Sequence, residues 1–218
     1  MKNNLLSKLQ QDLEGELQYD DLTKGLYATD ASVYRKIPVG VAFPKTVFDI
    51  KKIVLFAKEH QIGLIPRTAG TSLAGQCVGD GLVVDVSKHF TEIISIDEVK
   101  KQVTVQPGVI RDELNQYLKP FGLFFGPNTS TSNRCMIGGM VGNNSSGTTS
   151  IQYGVTRDKV ISLKTILADG SEAEFGRVSK EQFQQKQQDN TFESSLYNSV
   201  YKELNNKEIA KEITDNFP

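Results

Sequence analysis

The chain has only two cysteines, Cys77 and Cys135, among 218 residues. That number excludes a disulfide framework, and their spacing excludes a zinc site. Both read as reduced, small, semi-buried residues of a cytosolic protein. Histidine is equally scarce. His60 ends a predicted helix, where a cation suits the macrodipole, and His89 reads as a surface residue between Lys88 and Phe90. No His/Cys/Asp/Glu cluster has ligand spacing, so no metal is expected. Neither sign of charge dominates. Lys+Arg 25 against Asp+Glu 26, a net charge of -1, offers no basic surface to nucleic acid or acidic lipid. No run approaches the roughly 20 apolar residues of a membrane helix, so no membrane segment is expected. Residues 1–10 have no apolar core of a secretory signal, which predicts a cytoplasmic protein. The glycosylation spellings at Asn128, Asn143 and Asn144 are therefore read as chance.

What is present is an ordinary globular composition, 38% hydrophobic and 23% charged, enough for one or two domains. Leu5, Leu6, Leu9 and Leu13 predict an amphipathic helix ending near Gly15. Tyr19 to Lys36 reads as an irregular extended lead-in, and Val39 to Phe43 as a strand. Thr46-Val-Phe-Asp49 is a capping-box variant opening a helix. Val47, Ile50, Ile53, Val54 and Ala57 form its inner face, with Gly63 as the stop. Leu64-Ile65-Pro66 and Leu82 to Val86 read as short buried strands, completing a strand-helix-strand unit. Ile93 to Ile96 and Gln102 to Val105 predict a hairpin; Val109 to Leu118 predicts a helix with Val109, Leu114 and Leu118 inward. Val160 to Leu167 and Glu172 to Phe175 flank Ala168-Asp-Gly-Ser171, the clearest hairpin of the chain. Ser179 to Asn190 is a glutamine-rich loop or solvated helix, and Leu196 to Leu204 has helical spacing.

Two stretches stand apart from this pattern. Arg134 to Gly147 packs Gly138, Gly139, Gly142 and Gly147 among Asn143, Asn144, Ser145 and Ser146, and reads as a loop. Arg67-Thr-Ala-Gly-Thr-Ser-Leu-Ala-Gly-Gln76 is its counterpart between two strands. Small residues with short donors let successive amides face an anion such as a pyrophosphate. Neither stretch is a P-loop, because no Lys-Ser/Thr follows Gly75, and neither has the Rossmann glycine spacing. A tight turn would suit the first stretch alone, and a flexible linker the second. Met136, Ile137, Met140 and Val141 argue against the linker, because they need burial.

Seven motifs in order carry a resemblance. They are Pro66 to Gln76, Gln106-Pro-Gly-Val109, Gly126-Pro-Asn-Thr-Ser130, Cys135-Met-Ile-Gly-Gly139, Asn144-Ser-Ser-Gly147, Tyr153-Gly154 and Leu167-Ala-Asp-Gly170. Together they resemble the FAD-binding domain of the vanillyl-alcohol oxidase / p-cresol methylhydroxylase superfamily. The nearest branch in pattern is that of the FAD-linked oxidases, similar to glycolate oxidase, D-lactate dehydrogenase and D-2-hydroxyglutarate dehydrogenase.

The resemblance implies an α+β fold in which two α/β subdomains hold FAD between them. The expected division is a helical lead-in over 1–25, subdomains over 26–88 and 89–178, and a polar, helical segment over 179–218 that begins a substrate domain. It places Arg67, Thr68, Ala69, Gly70, Thr71 and Ser72 around the pyrophosphate, with Gly75 and Gln76 continuing that loop. Pro107 and Gly108 border the adenosine side, and Pro127, Ser130 and Thr131 the ribityl-flavin side. Gly138, Gly139, Gly142, Asn143, Asn144, Ser145 and Gly147 complete the pocket. Some relatives attach the flavin through a histidine of the first loop. Thr71 stands there, so the FAD is expected to be non-covalent, Cys135 notwithstanding.

The implied reaction is oxidation of a D-2-hydroxy acid by hydride transfer to FAD, with a small-molecule substrate and a separate electron acceptor as partners. The groups that hold the acid in such relatives follow this region, so the chain is expected to be an N-terminal part of the enzyme, and no catalytic residue is assigned. An oxidase of another alcohol, sugar or amine, and a non-catalytic FAD-binding module, are the alternatives.

Overall fold

The computed structural model describes residues 2–217. They form two compact units, one reaching to Val160 and the other starting at Ile161.

The first unit opens with α1 (Lys2–Asp12), β1 (Glu16–Gln18), α2 (Asp21–Leu26), β2 (Gly40–Phe43), α3 (Val47–Glu59), β3 (Leu64–Arg67) and β4 (Leu82–Asp85). The four strands make one sheet in the order β1-β2-β4-β3. β4 runs parallel to both neighbours, with Val41 and Ile65 each opposite Val83, and β1 is antiparallel to β2. Every residue of Leu82-Val-Val-Asp85 is buried, as a parallel strand between two others requires. Leu6 and Leu9 of α1 and Ile53 of α3 join Leu17, Ala42, Leu82 and Val84 in the core.

The capping box at Thr46 and Asp49 forms as its spacing predicts. Three details differ from expectation. The lead-in contains α2, because the Asp20 carboxylate accepts from Thr23 N at 2.9 Å and caps it. The stop of α3 is not Gly63. Gln61 takes the left-handed conformation at φ 54, and Gly63 instead accepts from Leu82 N at 2.8 Å. Val47 is exposed, since it opens the helix ahead of the buried turn.

Next come the antiparallel hairpin of β5 (Ile93–Asp97) and β6 (Gln102–Val105), then α4 (Arg111–Leu118). Val109, Leu114 and Leu118 form a second core, joined by Ile93, Val105, Phe125 and Ile137. The stretch expected to be a loop after Arg134 contains the short helix α5 (Ile137–Gly142), and α6 (Ser150–Tyr153) follows. Burial of Met140, whose carbonyl accepts from Ser145 N at 2.8 Å, overrides the poor helix propensity of its glycines.

The second unit holds the hairpin of β7 (Ser162–Ile166) and β8 (Glu172–Gly176), then α7 (Lys180–Lys186), α8 (Phe192–Leu204) and α9 (Lys207–Asn216). Tyr197 of α8 packs on Phe183 and Phe175, with ring centroids 5.2 and 6.1 Å away. The glutamine-rich stretch is helical because Ser179 and Gln182 cap it reciprocally. The fold is α+β, and α7, α8 and α9 follow β8 within the unit that starts at Ile161.

Candidate cofactor site

All the candidate residues lie in the first unit: Arg67 ends β3, Gly138, Gly139 and Gly142 lie in α5, and the others are on the connecting loops. The first loop begins where β3 ends at Arg67 and has no regular structure before β4. Gly70 and Gly75 sit at φ +65 and +76, where a side chain would be strained. The Ser72 hydroxyl accepts from the amides of Ala74 and Gln76, both at 3.3 Å, and so fixes the turn. Thr68, Ala69, Gly70, Thr71 and Ser72 are part-exposed on this turn.

The second stretch is anchored on the segment before α4. Gly138 N donates to Pro107 O at 2.8 Å and Ile137 N to Val109 O at 2.9 Å. Gly108, buried next to Pro107, donates to Phe90 O at 2.7 Å. Thr131 O accepts from Cys135 N at 2.7 Å, tying Thr131 and the exposed Ser130 to the same turn. Buried Pro127 is held by Arg111, whose Nε donates to its carbonyl at 3.2 Å. Gly147 N donates to Ser150 Oγ at 3.0 Å.

The two stretches meet. A Cβ built on Gly139 would lie 2.6 Å from Thr68 Oγ1, so that α5 packs against the first loop through a bare backbone. Gln76 Nε2 donates to Asn143 Oδ1 at 2.8 Å, closing a second contact across the same gap. Gly139, Gly142 and Asn143 remain exposed, and a Cβ on Gly142 would meet nothing within 4 Å. The result is an exposed edge of glycine backbone and hydroxyls, with open space beside Gly142. Such a surface admits a polyanion and offers it N–H donors.

Several candidates are already committed within the protein. Asn144, at φ 45, accepts from Arg157 N at 2.9 Å. Ser145 is buried; its hydroxyl accepts from Asn143 Nδ2 at 3.1 Å, and its carbonyl from Thr156 Oγ1 at 2.6 Å. Arg67 turns back under its own loop, with Nη1 donating to Thr29 O at 2.8 Å and the guanidinium 4.9 Å from the centre of the Tyr27 ring. The Tyr27 hydroxyl donates to Asp85 at 2.6 Å. Burial first, and then that hydrogen bond, push the Tyr27 hydroxyl up, so it stays protonated.

Both thiols lie inside this framework. Cys77 is buried against Asp30, its Sγ 3.7 Å from Oδ2, and burial pushes the thiol up against the pull of Arg67. Cys135 is buried between Thr129 Oγ1 at 3.2 Å and Met140 Sδ at 3.6 Å. Supporting residues such as Tyr27, Thr29, Asp30 and Arg111 are not marked by any motif. The only sequence signal that could have found them is that polar residues beside a glycine-rich loop must bond to something.

The sequence matches a family described as FAD binding domain over residues 38–176, and the chain belongs to that family. FAD is its cofactor. Two relatives show the branch. The D-2-hydroxyglutarate dehydrogenase of Escherichia coli is 38% identical over 219 residues, 99% of this chain and 21% of the relative. Glycolate oxidase subunit GlcD of Bacillus subtilis is 37% identical over 162 residues, 72% of this chain and 34% of the relative. Among solved structures, alkyldihydroxyacetonephosphate synthase superposes with a TM-score of 0.70 at 18% identity, covering 81% of this chain and 38% of that one. That likeness concerns the fold. The chain spans about a fifth to a third of the length of these two relatives. The glycine edge fits the cofactor, because a diphosphate needs close backbone approach and N–H donors.

Proposed function

We propose that the edge formed by Arg67–Gln76 and Gly138–Gly147 lies along the diphosphate of FAD, as part of an enzyme that oxidises a D-2-hydroxy acid. The observation that carries the reading is the convergence of the two loops at Thr68–Gly139 and Gln76–Asn143. Pro107 and Gly108 then border the adenosine end, and Pro127, Ser130 and Thr131 the ribityl-flavin end, with the cofactor between a sheet-bearing first subdomain and an α4-bearing second one. The chemistry that bound FAD would supply is an acceptor for a hydride from the substrate. The residues of this chain bind it, orient it and keep bulk away from its phosphates.

The names of the two relatives support a 2-hydroxy acid of the 2-hydroxyglutarate or glycolate type. D-lactate belongs to the same proposed class, and the electrons are proposed to leave to an acceptor other than bound NAD. Non-covalent attachment is supported by Thr71 in the first loop and by the enclosure of Cys135 between Thr129 and Met140. Two free, buried cysteines fit a reducing compartment such as the cytoplasm. Among the described residues, no helix is long and apolar enough to cross a membrane. Anaerobic addition of D-2-hydroxyglutarate, D-lactate and glycolate to the intact flavoprotein tests the reading. One of them should bleach the flavin absorption. Bleaching by an alditol or an amine, with all three acids silent, would refute the substrate class.

A further inference from the structure

Residues ahead of the matched family region fold into a small closed loop beneath the first glycine-rich stretch. Thr29 bridges Arg35, and Lys36 N donates to Ala28 O at 2.9 Å. Inside it, Ser32 N donates to Asp30 at 2.8 Å and Tyr34 N to Ser32 Oγ at 3.1 Å. Three of its residues reach the Arg67–Gln76 loop. Thr29 O accepts from Arg67, Asp30 faces Ser72 and Cys77, and the Tyr34 ring lies 2.7 Å from where a Cβ on Gly75 would be. The Arg67 guanidinium stands under the other left-handed glycine, its Nη2 2.4 Å from the Cβ position of Gly70.

We propose that the Thr29–Arg35 loop is a clamp that sets the shape of the flavin-phosphate loop, with Arg67 as a positioning residue and not a phosphate ligand. This rests on the reading of Arg67–Gln76 as the pyrophosphate loop. The two left-handed glycines are the points where that turn bends, and each has one support beneath it: under Gly70 the Arg67 guanidinium, held by Thr29 O of the clamp, and under Gly75 the Tyr34 ring of the clamp itself. The guanidinium is flat, stacks on Tyr27 and donates to a fixed carbonyl. A lysine ammonium has the same charge but neither the plane nor the fork, so it cannot occupy this slot.

The test is FAD titration of the flavin-free intact protein at several KCl concentrations, with Arg67→Met, Arg67→Lys and Tyr34→Ala. Arg67→Met is expected to raise the Kd about tenfold, the size of one lost stacking and hydrogen-bonding contact. Arg67→Lys should be no better than Arg67→Met, and the salt dependence of Kd should match the parent in both. Rescue by lysine together with a flatter salt dependence in Arg67→Met would overturn the proposal, because that is the signature of a direct charge–phosphate pair. Tyr34→Ala, at a half-exposed side chain, should speed FAD release about threefold or more, roughly one lost aromatic contact. Parent-like release in Tyr34→Ala would overturn the clamp even if Arg67→Met failed to fold, which circular dichroism reports. Gly139→Asp separates the two readings. If it loses FAD while the clamp variants bind like the parent, only the clamp is wrong; if it too binds like the parent, the loop assignment itself fails.

Discussion

Asp49 gives the sharpest stability prediction of this fold. Its side chain is fully buried, and its carboxylate accepts four backbone N–H groups, one of them the Thr46 bond of the capping box of α3. Glu14 N lies 2.9 Å from Oδ1; Gly15, Lys45 and Thr46 N lie 3.0, 2.9 and 3.3 Å from Oδ2. Two of these donors come from the turn between α1 and β1, so one carboxylate ties the N-terminal segment to the start of α3. Hydrogen bonds to a charged group contribute about 1.5–3 kcal/mol each, and orphaned buried donors cost a further 1–3 kcal/mol. The contributions are not additive, and some donors regain water after truncation. Asp49→Ala should therefore destabilise the first unit by about 3–5 kcal/mol, the range of a broken buried network. Asp49→Asn keeps one acceptor oxygen and should fall between Ala and the parent.

The pH dependence follows from the same contacts. Burial works to raise this carboxyl, but the donors Lys45, Glu14, Gly15 and Thr46 outweigh it and hold the folded pKa below the ordinary value. A depressed folded pKa stabilises above the unfolded value of about 4 and loses that stabilisation as the pH falls through the folded value. Urea unfolding followed by circular dichroism, for parent and Asp49→Ala, reads this directly. The gap in stability should be constant from pH 7 to about 5 and shrink below about 4. An Ala variant within about 1 kcal/mol of the parent, or a gap that widens in acid, would refute the reasoning.

Other expected outcomes are simpler. Acid precipitation followed by filtration should leave the yellow colour in the filtrate; colour retained by the protein would mean a covalent link. Thr156→Val removes the buried hydroxyl that donates to Ser145 O at 2.6 Å, and should lower stability by about 1–2 kcal/mol in the same urea assay. An unchanged midpoint would show that this bond does not hold the second stretch. Cys135, enclosed by Thr129 and Met140, should react with an aromatic disulfide reagent only on unfolding. Rapid labelling of the native protein at Cys135 would contradict its enclosure.

Much of this was legible in the sequence, for reasons that differ by element. Thr46 and Asp49 announce their helix because a capping box is local, three residues wide. The wider role of Asp49 is not legible, since its donors Glu14 and Gly15 lie 35 and 34 residues away. The hairpins of β5–β6 and β7–β8 follow from alternation and turn residues. β1 and α2 escaped because their stretch is polar and three to six residues long, and pairing with β2 or a cap at Asp20 decides them. α5 escaped for the opposite reason: three glycines suggest a loop, and only burial of Met140 makes it helical. The motifs named the candidate residues, but they could not say which way a side chain turns. Arg67 reads as a phosphate ligand by position, yet its guanidinium stacks on Tyr27 below the loop.

The central claim is that two glycine-rich stretches converge on the flavin diphosphate at Thr68 and Gly139. Titration of FAD into flavin-free parent and Gly139→Asp protein, followed by flavin fluorescence, tests it most directly. Bulk and a like charge at that contact should weaken binding by about a hundredfold or more, with circular dichroism unchanged. A variant that folds and binds FAD with the parent's affinity would show that the diphosphate lies elsewhere.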